Sequence, residues 1–404
     1  MVYIERTLED VIKRAARQFP VVVLTGPRQS GKTTLLKHVF GGTHRYVSLD
    51  PPDVRLAATE DPRGFLASQR PPVIFDEAQS APVLLPYIKE EVDRHRDRAG
   101  QFLLTGSQNL MLAQGVTESL AGRAALLRLL PLARREIAGQ PQLALPWETQ
   151  KGRPAPRPLD LPIWPSLLRG GYPELISGRI TDTALWHASY VQTYLERDVR
   201  SLRQIGDLGQ FQAFLRLVAS RTAQLLNLSD AARDLGVAVN TVKAWLSILE
   251  ATYQVIVLRP YWANVGKRLV KSPKVYFTDT GTLSYLAGLQ DPSHAANGPL
   301  GGPLLETAVI TEVLRSLAHR GIEPQLYFWR TATGVEVDLV VDTGPTLVPI
   351  EVKLSSTPNP AMARGIEAFR RDIGPRAIRG FVVHPGNITL PLGPDAVALP
   401  LSAL

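Results

Sequence analysis

Cysteine is absent from all 404 residues, which excludes disulfides and thiolate metal sites. No stretch reaches the ~18 consecutive apolar residues of a membrane span. The opening Met1–Phe19 is a charged amphipathic pattern rather than a secretory leader. A cytoplasmic protein with no membrane partner is therefore expected. Aromatic residues make up only 7% of the chain, and no run of them resembles a platform for stacking single-stranded bases. What remains is ordinary globular composition, 45% hydrophobic and 20% charged, at a length that suggests two to three domains. The net charge of +8 admits a polyanionic partner without requiring one.

One stretch has a definite chemistry. After the apolar run Val21-Val22-Val23-Leu24 comes TGPRQSGKTT, Thr25 to Thr34. Gly26, Gly31, Lys32 and Thr33 satisfy the phosphate-loop pattern G-x-x-x-x-G-K-[ST] at each fixed position. Glycines allow a tight turn that aims backbone N–H groups at phosphate oxygens. Lys32 would reach the β/γ-phosphates, and the Thr33 hydroxyl would be a magnesium ligand. Leu35 and Leu36 begin a helical stripe, placing the phosphates at a helix N-terminus. Gly26, Pro27, Arg28, Gln29, Ser30, Gly31, Lys32, Thr33 and Thr34 are the expected nucleotide contacts.

The first 135 residues alternate apolar runs with helical patterns. Strands are expected at Val21–Thr25, Arg45–Leu49, Val73–Asp76, Gln101–Thr105 and Ala125–Leu130, giving an α/β domain with a parallel sheet. The third strand ends in Asp76-Glu77. Asp76 at a strand tip would help hold ATP-bound Mg²⁺, and Glu77 would act as general base on the attacking water. The fourth ends in Thr105-Gly106-Ser107-Gln108-Asn109, where Ser107 either contacts the γ-phosphate or its water, or caps the next helix. Arg123, just before the fifth strand, is either a finger completing a neighbour's active site or a structural ion-pair partner.

The set GPRQSGKTT, VIFDEAQ, LLTGSQN and SLAGR resembles an AAA-type ATPase. With GGYPE (Gly170–Glu174), TYLERDVR (Thr193–Arg200) and the later EVDLVV and EVK segments, nearly the whole chain resembles a prokaryotic group that joins such an ATPase to a C-terminal domain of unknown function. The resemblance implies ATP hydrolysis with Mg²⁺ and assembly into a ring.

Seven prolines at 141, 146, 154, 156, 158, 162 and 165 break the pattern and mark a linker. The expected boundaries are an ATPase core over 1–138, a linker over 139–165, a helical and winged-helix region over 166–290 and a nuclease-like domain over 291–404. In the middle region, a short helix Ala231–Leu235, capped by Ser229 or Asp230, turns at Gly236 into a second, Asn240–Glu250. A hairpin of Tyr253–Leu258 and Lys274–Phe277 follows, the order of a winged helix-turn-helix. Glu196 to Lys274 holds 12 Lys/Arg against 6 Asp/Glu, +6 of the chain's +8. Asn240, Thr241, Lys243, Arg259, Lys267, Arg268, Lys271 and Lys274 are the expected contacts to duplex or branched DNA. A winged helix used for protein packing is the alternative.

In the last region, Leu304–Leu317 reads as a helix carrying Glu306. Strands follow at Gln325–Arg330, Val335–Val341 and Thr346–Leu354. Asp338 lies on one, and Glu351 and Lys353 share a face of the next. Carboxylates of Glu306, Asp338 and Glu351 with Lys353 are what a magnesium-dependent phosphodiesterase needs. Asp338-(x)12-Glu351-x-Lys353 is similar to the PD-(D/E)xK nuclease fold, although Val337 stands where that motif has proline.

Overall fold

The computed structural model describes residues 3–106, 119–148, 159–194, 207–261 and 272–404. The chain divides into two compact units. The first comprises Met1–Leu132 together with two returning segments, Ala251–Tyr253 and Leu317–Ile322. The second comprises Ala133–Glu250, Gln254–Ser316 and Glu323–Leu404.

The first unit is built on a five-stranded parallel sheet, β1 (Val21–Thr25), β2 (Arg45–Ser48), β3 (Val73–Asp76), β4 (Phe102–Gly106) and β5 (Ala124–Arg128), in the order β2-β3-β4-β1-β5. All of the residues in β1, β3 and β4 are buried, which is why they read as continuous apolar runs rather than alternating ones. Successive side chains point to opposite faces. Val21, Val23, Val73, Phe75, Phe102 and Leu104 pack one layer with Leu84, Leu85, Ile88 and Val92 of α3 (Leu84–Arg94). Val22, Leu24, Ile74 and Leu103 pack the other with α1 (Leu8–Gln18) and α2 (Lys32–Phe40).

The second unit holds an eight-stranded mixed sheet. Its strands are β6 (Val255–Pro260), β7 (Lys274–Phe277), β8 (Leu326–Arg330), β9 (Glu336–Asp342), β10 (Leu347–Val352), β11 (Gly380–His384), β12 (Leu390–Leu392) and β13 (Ala396–Pro400). Their order is β12-β13-β11-β10-β9-β8-β6-β7. The β6–β7 hairpin, expected as a wing, is instead joined to this sheet through parallel pairing of Arg259 and Pro260 with Tyr327 and Phe328. All four residues of β7 are buried although it is the edge strand of the sheet.

The helix-turn-helix pair is present as α4 (Leu228–Leu235) and α5 (Val239–Ala251). Asn227, not Ser229 or Asp230, caps α4, its side chain accepting from the backbone N–H groups of both of those residues. A longer helix, α6 (Gly301–Ala318), carries Glu306.

Candidate functional site

The phosphate loop lies between β1 and α2. Gly26 has φ +144, and a Cβ there would sit 2.0 Å from the Leu129 carbonyl oxygen, so only glycine fits. Lys32 opens α2 and is 6% exposed; its ammonium donates to the carbonyls of Gly26 at 3.0 Å and Pro27 at 2.8 Å. Beneath the loop, the buried Arg6 donates to the carbonyl of Ser30 at 3.0 Å and to that of Leu130 at 2.7 Å. Arg6 was not singled out from sequence, because a lone arginine before a charged helix looks like solvated surface.

Parallel register brings the other parts of the site to the same sheet edge. Phe75 pairs with Leu104 and Thr25 with Gly106, so the ends of β3, β4 and β1 lie side by side. Ligands of open α/β sheets bind at this carboxyl edge. Asp76 is 6% exposed. Its carboxylate accepts from the Thr33 hydroxyl at 2.9 Å, from the Tyr46 hydroxyl at 2.7 Å and from the Thr105 hydroxyl. Burial, then the hydrogen bond to Asp76, push the Tyr46 hydroxyl well above the usual tyrosine pKa. Tyr46 belongs to the site by position on β2, something visible only once the strand order is known.

Glu77 follows in the left-handed region, φ +56 and ψ +46, uncommon for a residue with a side chain. Its N–H donates to Thr105 Oγ1 at 3.2 Å, and its carboxylate is held by the Gln79 side-chain amide. Thr105 thus ties Asp76 and Glu77 together. Thr33 and Asp76 offer two hard oxygen donors in direct contact, at the N-terminus of α2 just after the glycine-rich loop. This donor set fits a magnesium-bound nucleotide.

Arg123 has a different employment from the one expected of a finger. Its Nε and Nη2 pair with the two oxygens of Asp93 at 2.7 and 3.0 Å, and Nη1 donates to the Ala121 carbonyl. The guanidinium is spent within the chain, so its geometry supports the structural ion-pair reading. Ser107 lies outside the described residues.

In the second unit, Glu306, Asp338, Glu351 and Lys353 line one cleft of about 750 Å³, together with Lys274, Arg330 and Glu336. The strand register that places Glu336 beside Asp338 on one face of β9, and Lys274 beside Tyr276 on β7, explains the meeting. Glu306 accepts from Lys274 Nζ at 3.0 Å and from the Tyr276 hydroxyl. Lys274 also pairs with Glu336, Asp338 accepts from the Val352 N–H at 2.8 Å, and Glu351 pairs with Lys353. Burial raises the Glu306 carboxyl to about 7, aided by Asp338 and opposed by Lys274 and Tyr276. Burial likewise raises Asp338 and Glu351.

The expected carboxylate set and Lys274 share this cleft. Among the described residues, no group of three or more His, Asp or Glu is placed to hold a metal ion. Each carboxylate of the expected set meets a protein donor through one oxygen, and Glu351 Oε2 is buried with no hydrogen-bond partner. Lys274, expected on a DNA-facing loop, is 4% exposed inside the carboxylate cleft; as the first residue of a fully buried strand it could not stay at the surface. Glu336 and Tyr276 were missed, because neither lies on the motif that drew attention to the cleft.

Of the remaining expected DNA contacts, Asn240, Lys243 and Arg259 are exposed and Thr241 is partly so. Val242, Trp245 and Leu249 form the buried face of the same helix. Lys267, Arg268 and Lys271 lie outside the described residues, as does most of TYLERDVR. GGYPE has a structural use. A Cβ at Gly170 would meet Asp279 Oδ1 at 2.5 Å, and the Gly171 N–H donates to Asp279 Oδ2 at 2.8 Å.

Residues 18–138 match the sequence family described as an AAA domain. Residues 163–293 and 301–404 match two domains of unknown function, DUF8612 and DUF4143. Among solved structures, the chain is similar to the Walker-type ATPase PABY2304 of Pyrococcus abyssi, with a TM-score of 0.47 and 15% identity over 70% of this chain and 96% of that one. It is also similar to the Thermotoga maritima RuvB Holliday junction branch migration motor, with a TM-score of 0.26 and 16% identity over 62% and 85%. Likenesses this loose carry no functional argument. The uncharacterized proteins Rv2008c of Mycobacterium tuberculosis and Mb2031c of Mycobacterium bovis are 33% identical over 392 residues, 96% of this chain and 82% of theirs. With the phosphate loop and its acidic partner in place, the chain is an AAA-type P-loop ATPase and belongs to the same family as these mycobacterial proteins.

Proposed function

We propose that the protein hydrolyses ATP at the phosphate loop and uses the cycle to change its grip on duplex or branched DNA. The observation that carries the ATPase half is the contact of Thr33 with Asp76, tied through Thr105 to Glu77. Bound ATP·Mg²⁺ supplies the phosphoanhydride and its neutralising charge. Lys32 binds the β/γ-phosphates, exchanging loop carbonyls for phosphate oxygens. Thr33 and Asp76 hold the metal, and Glu77 orients water and takes its proton.

The DNA half rests on the helix-turn-helix pair, whose second helix presents Asn240, Thr241 and Lys243 outward, with Arg259 exposed nearby in sequence. Phosphate contacts from such cations position a duplex and release counterions. Assembly into a ring is part of this reading. A second reading is a nucleotide switch that binds a protein partner. It is favoured by the pairing of the β6–β7 hairpin into a sheet, which removes Lys274 from any phosphate-facing wing.

Steady-state ATP hydrolysis, measured alone and then with single-stranded, duplex and four-way-junction DNA, decides between them. Stimulation by duplex or junction that weakens steeply with salt supports the DNA reading. Turnover indifferent to every DNA supports the partner switch. Lys32→Ala and Glu77→Gln should each stop turnover, and normal turnover in Glu77→Gln would reject it as the base.

A further inference from the structure

The carboxylate cleft of the second unit brings Glu306, Glu336, Asp338 and Glu351 to one wall-to-wall cluster. Four acidic groups at this burial repel one another and need a cation. In a PD-(D/E)xK-like arrangement that cation would be a divalent metal. Here the chain brings its own. Lys274 stands at the start of β7, 4% exposed, with Nζ at 3.0 Å from Glu306 and in contact with Glu336. Phe328 lies under the ammonium, its ring centroid 5.6 Å away. Tyr276, two residues on and on the same strand face, adds a hydroxyl donor to Glu306.

We infer that Lys274 is the resident cation of this cleft, set between Glu306 and Glu336, and that the cleft takes up neither Mg²⁺ nor Mn²⁺. A lysine held by two carboxylates and a ring presents no exchangeable ligand position, and it takes up one oxygen each of Glu306 and Glu336. Of the other carboxylates, Asp338 accepts from the Val352 N–H and Glu351 pairs with Lys353 through Oε1, while Glu351 Oε2 is buried with no hydrogen-bond partner. On this inference the cleft is a nuclease-like frame whose charge is met from within the chain. This inference does not depend on the nucleic-acid reading, nor on ATP turnover.

The test is titration of Mn²⁺ into the nucleotide-free full-length chain, with free Mn²⁺ followed by electron paramagnetic resonance. Asp338→Asn serves as the control that silences this cleft and leaves the phosphate loop intact. The wild-type chain and Asp338→Asn should bind the same amount of Mn²⁺. Lys274→Met, which removes the ammonium but keeps an unbranched side chain, should gain one Mn²⁺ per chain, and Lys274→Met/Asp338→Asn should lose it again. Mn²⁺ uptake by the wild-type chain that disappears in Asp338→Asn overturns the inference. So does a folded Lys274→Met that gains no site. Should Lys274→Met fail to fold, the comparison of wild type with Asp338→Asn decides alone.

Discussion

The Tyr253 hydroxyl donates to the Thr25 hydroxyl at 2.8 Å, although 228 residues separate them. Thr25 is the last residue of β1 and leads directly into the phosphate loop, and it passes the contact on to the Leu127 carbonyl at 3.2 Å. Arg128 lies over the Tyr253 ring, 5.4 Å from its centroid. Tyr253 follows directly on the segment that ends the helix-turn-helix pair, so the nucleotide loop is braced by chain that has returned from the C-terminal region. Tyr253→Phe removes one buried hydrogen bond and should cost about 1 kcal/mol in stability. Denaturant melts check that figure. Parallel ATP kinetics should show a raised KM for ATP, since the loop's entry strand loses its brace. An unchanged KM would leave Tyr253 a purely structural residue.

Thr105 is the second point at which a hydroxyl organises the ATP site. It donates to Asp76 and accepts from the Glu77 N–H, and Glu77 is held in a left-handed conformation. Thr105→Val keeps the shape and removes both bonds. Misplacement of a catalytic group by an ångström costs up to roughly 100-fold, so turnover should fall about 10- to 100-fold. Binding of a fluorescent ATP analogue should change far less. Equal losses in binding and turnover would place Thr105 in nucleotide binding instead.

Arg135 and Glu312 form an ion pair at 3.3 Å with side chains 0% and 2% exposed. Glu312 also accepts from the Arg134 N–H at 2.8 Å. Removing one partner of a fully buried pair typically costs about 3–5 kcal/mol. Glu312→Leu should therefore lower the urea midpoint sharply, and Arg135→Met/Glu312→Leu should recover part of it. A double variant as unstable as the sum of the singles would mean that the backbone contact, not the charge pair, dominates.

Acid should favour the second unit. The folded-state Glu306 carboxyl is raised from 4.5 to about 7 by burial first, then by Asp338. The native chain then binds a proton that the unfolded chain releases between those values. This group's stabilisation is complete below about pH 4.5 and is lost as the pH rises toward 7, a change on the order of 2–3 kcal/mol. Asp338 and Glu351, also raised, act in the same direction, while Lys274 and Tyr276 face the same carboxylate. Urea midpoints at pH 5 and pH 7.5 should differ less in Glu306→Gln than in the wild-type chain. An identical difference would remove Glu306 from the account.

The parts of the fold carried by local pattern were legible in the sequence. Val21–Thr25 and Val73–Asp76 match their strands, and the other three expected strands of the first sheet differ only at their ends. The meeting of Glu306, Asp338, Glu351 and Lys353 was also foreshadowed by the spacing on two strands. What stayed hidden depends on contacts between distant segments. Tyr46 and Arg6 reach the site through strand order and a helix entry, neither of which leaves a local mark. Lys274 looked like a wing cation because a lysine near other basic residues usually remains solvated. Only the pairing of β6 with β8 shows that its strand belongs to a sheet and that its charge is consumed by Glu306 and Glu336.

The first unit owns two short pieces of chain that come from beyond residue 250, Ala251–Tyr253 and Leu317–Ile322. His319, in the second piece, accepts at Nε2 from the Leu130 N–H at 3.1 Å, just past β5, the strand paired with β1. A gene cut after the AAA region would make an ATPase missing two supports of its own. Any fragment intended to report on nucleotide hydrolysis therefore has to be an internal variant of the whole polypeptide, because modularity in the sequence is not modularity in the folded product.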